Sequence, residues 1–310
     1  MKINKLTKIF SVLLAAVFFT SSMSLVSAAT PDTVQDKLAA IERDTYGNEQ
    51  TGAVMDRINK LEKDYNASHR TGSMMARVDA LYNEVYTNST RPSVLADLNA
   101  IEWNISHEVS MDSVEKRVAA MEMTINGKTS EGTYKERIAA LSKASFGTET
   151  LPLEQTGVPA NTLVKVALVD EVNTKNLKIG DVVRVQVADD VIVDGKLVFA
   201  KGEPGEGKVT KLRQARNFGR NAELEVDFYQ TKAIDGTEVA TFVGEEAKQE
   251  MKNLAMAAGA SLAGMLILGP IGVIGGAFVK GKNIELPAGT EMYIQTKGDS
   301  TLYGVVTTAN

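Results

Sequence analysis

The chain has 310 residues, with 39 acidic side chains against 34 basic ones for a net charge of −5, and it contains no cysteine. It therefore has no disulfide, no thiolate metal centre and no lipid-bearing cysteine, and its acidic balance gives no bulk attraction to nucleic acid. The length exceeds one ordinary domain, and near Pro152 helical periodicity gives way to strand alternation.

Residues 1–29 read as an export signal peptide. Lys2, Lys5 and Lys8 precede an apolar run over 9–19, and Val26-Ser27-Ala28 supplies the small-residue cleavage pattern. Without the three leader lysines the net charge is about −8. The expected location is the periplasm or cell envelope, in association with a membrane.

Residues 30–153 carry six repeats of twenty residues, starting at Val34, Val54, Met74, Val94, Val114 and Tyr134. Position five reads Leu38, Ile58, Val78, Leu98, Val118, Ile138, and position eight reads Ile41, Leu61, Leu81, Ile101, Met121, Leu141. Apolar residues at positions one, five, eight and often twelve line one stripe of a helix about three turns long. Ser73, Ser93, Ser113 and Thr133 stand where a capping hydroxyl is needed, and Gly52, Gly72, Pro92 and Gly132 break the chain one position earlier in their repeats. So short a helix is marginal alone, so its stripe must be buried against neighbouring repeats or another chain. Position four is Lys37, Arg57, Arg77, Arg117 or Arg137, with Asp97 the exception, and position nine is often Glu. These charges are expected to form a solvated helix face.

Residues 154–310 predict a mainly antiparallel β domain, a barrel or sandwich, so the fold class is α+β and multidomain. Val183, Val185 and Val187 alternate with polar residues, as do Leu224, Val226 and Phe228. Asp194-Gly195 is the pair that a tight hairpin prefers. Two turns echo each other, Val158-Pro159-Ala160-Asn161-Thr162 and Leu286-Pro287-Ala288-Gly289-Thr290. Proline presets the first turn position, and Asn161 and Gly289 tolerate a left-handed backbone. Asp189, Asp190 and Asp194 do not match a calcium-loop spacing, and no metal site is expected.

With these turns, the string 197–202 ending in Lys201-Gly202, and the Gly207-Lys208-Val209 that follows, the region resembles the β-barrel domain of TrbI-like proteins, the ring-forming outer component of type IV secretion channels. Ala200 stands where that family has proline. The resemblance implies a barrel interrupted by a small-residue-rich helical hairpin and a homo-oligomeric assembly in the envelope. The repeats, best seen at Asp44-Thr45-Tyr46-Gly47 and again at Phe146-Gly147, resemble short repeats of uncharacterised envelope proteins of double-membraned bacteria.

The segment 254–279 contains no charged residue and is rich in glycine. A hairpin turning at Gly269-Pro270 keeps the following strand beside the sheet whose turn it repeats, and two helical arms are expected. Ala257, Ala260 and Gly264 would form a small-residue stripe on one arm, with Gly272 and Gly276 on the other. Leu254, Leu266 and Phe278 complete a candidate membrane or oligomer contact, the outer membrane being favoured over the inner. Helices covering the β domain without entering lipid are the alternative. A second candidate surface gathers Lys208, Lys211, Arg213, Arg216 and Arg220, suited to lipid headgroups or an anionic wall polymer; a solvated loop is its plainer reading.

His69 and His107 stand near no nucleophile motif, and no phosphate-binding glycine loop appears in its strand–helix context, so neither catalytic residues nor a cofactor is expected. The sequence reads as a non-enzymatic envelope protein, with helical repeats as spacer or docking surface and the β domain attaching to membrane or to further copies. A soluble periplasmic module binding wall polymer or an envelope protein is one alternative, and a carboxylate-only wall hydrolase is the other.

Overall fold

The computed structural model describes residues 33–214, 222–257, 265–268, 272–275 and 283–307; the expected signal peptide, residues 1–29, lies outside them. Six helices of thirteen residues follow at the sequence period: α1 (Val34–Tyr46), α2 (Val54–Asn66), α3 (Met74–Tyr86), α4 (Val94–Ser106), α5 (Val114–Asn126) and α6 (Tyr134–Phe146). The hydroxyls of Ser73, Ser93 and Thr133 accept the amides of Ala76, Ala96 and Glu136, capping three helices as their sequence implies. Ser113 makes no such bond.

The apolar stripes are buried in one core, and the helices meet beyond their neighbours. Helix α1 packs on α3 and α5, α2 on α3 and α6, and α4 on α3, α5 and α6. The repeats therefore form a bundle closed on itself, in which each stripe is buried by more than its nearest repeats. Tyr65, fully buried, marks the closure: its ring lies 5.2 Å from that of Tyr134 on α6, and its hydroxyl bonds Thr45 at 3.0 Å.

The charges at positions four and nine do not form a solvated face. The guanidinium of each position-four arginine reaches back to the position-nine carboxylate of the preceding repeat, pairing Arg57 with Glu42, Arg77 with Glu62, Arg117 with Glu102 and Arg137 with Glu122 at 2.5–2.7 Å. All four carboxylates are buried. Each also accepts a linker amide, from Gln50, Arg70, Ser110 and Ser130 respectively, at 2.9–3.0 Å. One glutamate thus fixes its own linker and the next helix. Burial pushes the Glu62 carboxyl up, but the Arg77 bonds and the Arg70 amide outweigh it and hold it below the ordinary range. The ladder omits one rung, between α3 and α4, where Tyr82 stands for glutamate and Asp97 for arginine.

The β part contains β1 (Leu153–Val158), β2 (Leu163–Leu168), β3 (Val172–Asn173), β4 (Val182–Val187), β5 (Val191–Val193), β6 (Lys196–Phe199), β7 (Pro204–Arg213), β8 (Glu223–Lys232) and β9 (Glu238–Phe242). Helix α7 (Glu245–Ala257) follows, then β10 (Met265–Leu268), β11 (Gly272–Gly275), β12 (Glu285–Leu286), β13 (Glu291–Thr296) and β14 (Ser300–Val306). Strands β13-β2-β4-β7-β8-β9 close a barrel, and β1-β14-β6-β5 form a second sheet. Inward valines of β2 and β4 join Leu224, Val226 and Phe228 of β8 in its core.

Both echoed turns have the anticipated geometry. Asn161 (φ 65) and Gly289 (φ 80) are left-handed, and the hydroxyls of Thr162 and Thr290 donate to the carbonyls of Pro159 and Pro287, each at 2.7 Å. The turns open β2 and β13, which pair with each other. Asp194 (φ 50) and Gly195 (φ 72) form the tight turn between β5 and β6.

The expected helical hairpin over 254–279 is corrected in its described part. Only its start belongs to a helix, with Leu254 and Ala257 in the last turn of α7, whereas Leu266 and Gly272 lie in paired strands, Leu266 opposite Ile274 and Leu268 opposite Gly272. Ile267, Val273 and Ile274 are β-branched and favour the pleated backbone. Gly272 therefore cannot share a helical stripe with Gly276. Ala260, Gly264, Gly276 and Phe278 lie outside the described residues.

Candidate functional site

Helix α7 presents the apolar segment, and Gln295 of β13 fixes where it starts. The Gln295 Nε2 donates to Glu246 at 2.9 Å and to Asn161 Oδ1 at 2.7 Å, while its Oε1 accepts the Ala247 amide at 3.1 Å. Gly244 is needed here, since a Cβ would stand 2.4 Å from the Gln295 amide. Ala247 and Met251 enter the barrel core, Leu254 is half-buried on the same stripe, and Met256 is 54% exposed. Strand β11 lies against α7, and β10 and β11 run beside β8. Of the proposed contact residues, the structure brings Leu254, Ala257, Leu266 and Gly272 to this side of the barrel. No helix among the described residues is long and apolar enough to cross a membrane.

The basic residues on β7 are set opposite the acids of β8 by the antiparallel register of the two strands. Lys211 on β7 bonds Glu225 at 2.8 Å, Arg213 pairs with Glu223, and Lys208 stands opposite Asp227 on β8. Among the described residues this strand pair is mixed in charge. Arg216 and Arg220 lie outside them.

The joint between helices and barrel rests on residues that sequence reasoning did not single out. Asn99 of α4 donates to Glu203 Oε1 at 2.9 Å and to the Ile234 carbonyl at 3.0 Å, and accepts from Arg117 at 2.6 Å. Asn88 donates to the Asp235 carbonyl at 2.7 Å, and Trp103 Nε1 donates to Asp190 at 2.9 Å. The Val109 amide bonds the Lys201 carbonyl at 2.8 Å. Around these bonds Ala100 and Val109 share a core with Leu197, Ala200, Ile234 and Val305. A signal was present: the fourth repeat lacks the arginine and is apolar on more than one face, because α4 is buried on both sides.

Glu203 is buried in this joint, and desolvation pushes its carboxyl up to about 8; Arg117 and Lys232 pull it down, while Asp235 and Glu102 push it further up. The folded chain therefore holds a proton that the unfolded chain releases near the ordinary carboxylate value. Its contribution to stability is complete below that value and is lost as pH rises through about 8. Glu203→Gln is expected to be near neutral at pH 4.5 and to stabilise by on the order of 5 kcal/mol above pH 8. Urea titrations of both proteins across this range check it; a constant difference would remove Glu203 as the source.

No known protein family matches the chain, and no curated protein does. Among solved structures the chain is similar to ComB10 of the Com type IV secretion system of Helicobacter pylori, at 13% identity and a TM-score of 0.26, covering 46% of this chain and 88% of that one. So slight a likeness carries neither fold nor function across.

Proposed function

We propose that the chain is a non-enzymatic cell-envelope protein whose barrel attaches, through 254–279, to a membrane or to further copies of itself, with the helical bundle as a rigid docking body. The carrying observation is the uncharged segment of 26 residues, issuing from a helix whose first turn is locked to β13 by Gln295. An apolar run of that length needs an apolar surrounding. The joint through α4 supports the second half of the reading, because a body fixed by buried hydrogen bonds can transmit position from barrel to bundle.

The test is partition of the chain, intact and with residues 258–279 replaced by a short Gly-Ser linker, between envelope membranes and supernatant after an alkaline carbonate wash. Retention of the intact form alone is expected, and size measurement in detergent then separates a discrete ring from a monomer. If both forms are soluble and the shortened one unfolds, the segment is core. That outcome supports the second reading, a soluble periplasmic binding module, which the placement of β10 and β11 beside β8 favours.

A further inference from the structure

A cavity lies beside Asp97, one member of the missing rung. Helix pairs α1/α3 and α4/α6 are equivalent, each two repeats apart and in contact. In α1/α3, Lys37 at position four bonds Asp79 at position six (2.6 Å), with its ammonium 5.6 Å from the centre of the Tyr82 ring at position nine. In α4/α6 the same positions hold Asp97, Ala139 and Ser142. The cation has become an anion, its partner has shrunk to a methyl group, and the aromatic ring has shrunk to a hydroxymethyl. All three line a cavity of about 130 Å³.

The Asp97 carboxylate makes no hydrogen bond or ion pair among the described residues, and desolvation raises it to about 7, with Arg91 pulling it down. The other charged groups around the cavity are Glu84, Lys135, Glu149 and the exposed Arg91. Glu84 is engaged by Arg70 and Lys135, and Glu149 by Lys143 at 3.7 Å. Val94 and Ile138 supply apolar wall. A desolvated, unpaired carboxylate in a partly apolar cavity is a recognition group without its counterpart.

We infer that this cavity binds a small organic cation, a primary ammonium carried on a compact apolar or aromatic body, with the ammonium on Asp97 and the body in the space that Tyr82 fills in the equivalent pair. The ligand would supply in trans what Lys37 and Tyr82 supply within α1/α3, with the sign of the carboxylate's position reversed.

The test is calorimetric titration of the full chain at pH 8 with 2-phenylethylamine, against 2-phenylethanol as its neutral counterpart. Saturable binding of the amine is expected, at least about tenfold tighter than the alcohol. Asp97→Asn keeps the side-chain shape and removes only the charge; it is expected to fold, as a thermal melt would show, and to bind the amine at least about tenfold more weakly. Binding should also weaken as pH falls from 8 to 5, because Asp97 takes up a proton over that range. The double variant Asp97→Lys/Ala139→Asp, which rebuilds the α1/α3 bridge, should not bind. No saturation up to about 10 mM amine, or equal binding by the Asn variant or by the alcohol, overturns the inference.

Discussion

Glu62→Ala is expected to destabilise the chain by about 3–5 kcal/mol, the range for removing one partner of a buried ion pair. Glu62 is fully buried, and its loss leaves the charge of the Arg77 guanidinium, itself 6% exposed, uncompensated with only the neutral Asn59 carbonyl as partner, and leaves the Arg70 amide without its acceptor. Because an uncompensated buried charge costs more than the pair contributes, the effect should exceed that of deleting an apolar side chain of similar size. Glu49→Ala is the control: Glu49 also pairs with an arginine, Arg43, but both partners are more than 40% exposed. Its loss should cost under about 1 kcal/mol. Urea denaturation of the two variants decides, and equal small losses would mean that the ladder follows the fold without supporting it.

Gly202→Ala is expected to cost about 3 kcal/mol or more and to part the helical bundle from the barrel. Gly202 has φ +92, and a Cβ there would stand 2.0 Å from the Val109 carbonyl oxygen, a backbone atom that is held because the Val109 amide bonds Lys201. The clash cannot be relieved by turning a side chain. Gly127→Ala separates strain from clash, since Gly127 is also left-handed (φ +69) but has nothing within 4 Å of its Cβ position; about 1 kcal/mol is expected. The readout is built in, because Trp103, the sole tryptophan, lies in the joint with its indole bonded to Asp190. Parting should shift its emission to the red and expose 148–153 to protease. A Gly202 variant with native fluorescence and native stability would show that the joint yields more readily than its geometry implies.

What was legible in the sequence is what repeats locally. The helix starts, their hydroxyl caps, the two Pro-Ala-x-Thr turns and the Asp194-Gly195 hairpin are all set within five or six residues, where backbone preference and one side-chain bond decide the outcome. The Glu–Arg ladder was hidden although every member is periodic. Its partners are fifteen residues apart across a linker, so no single-helix projection brings them together, and charges on short helices usually do face water. The joint was harder still: Asn99 and Glu203 are 104 residues apart, and only the departure of the fourth repeat from its pattern announced that something other than a neighbouring repeat covers it. The apolar segment misled differently. Its small residues fit a helical stripe, while the β-branched residues at 267, 273 and 274 give the described part to strands. The acids of β8 follow the basic run closely, but only the antiparallel register of β7 and β8 sets them opposite it.

The echoed turns have a kinetic consequence. The Asn161 amide at the start of β2 bonds the Thr296 carbonyl at the end of β13, and the Gly289 amide just before β13 bonds the Leu168 carbonyl at the end of β2. Each turn thus holds the far end of the other's strand, and β14 likewise closes onto β1 with Leu153 opposite Val305. The barrel has no early half: its first strands remain unpaired along one side until residues near 300 have left the ribosome. The bundle, built from neighbours twenty to eighty residues apart, can condense long before. A chain emerging from its N-terminal end would therefore travel for half its length as a folded helical head trailing an open sheet, and the exposed strands of that intermediate, rather than any feature of the finished molecule, are where a chaperone would be needed.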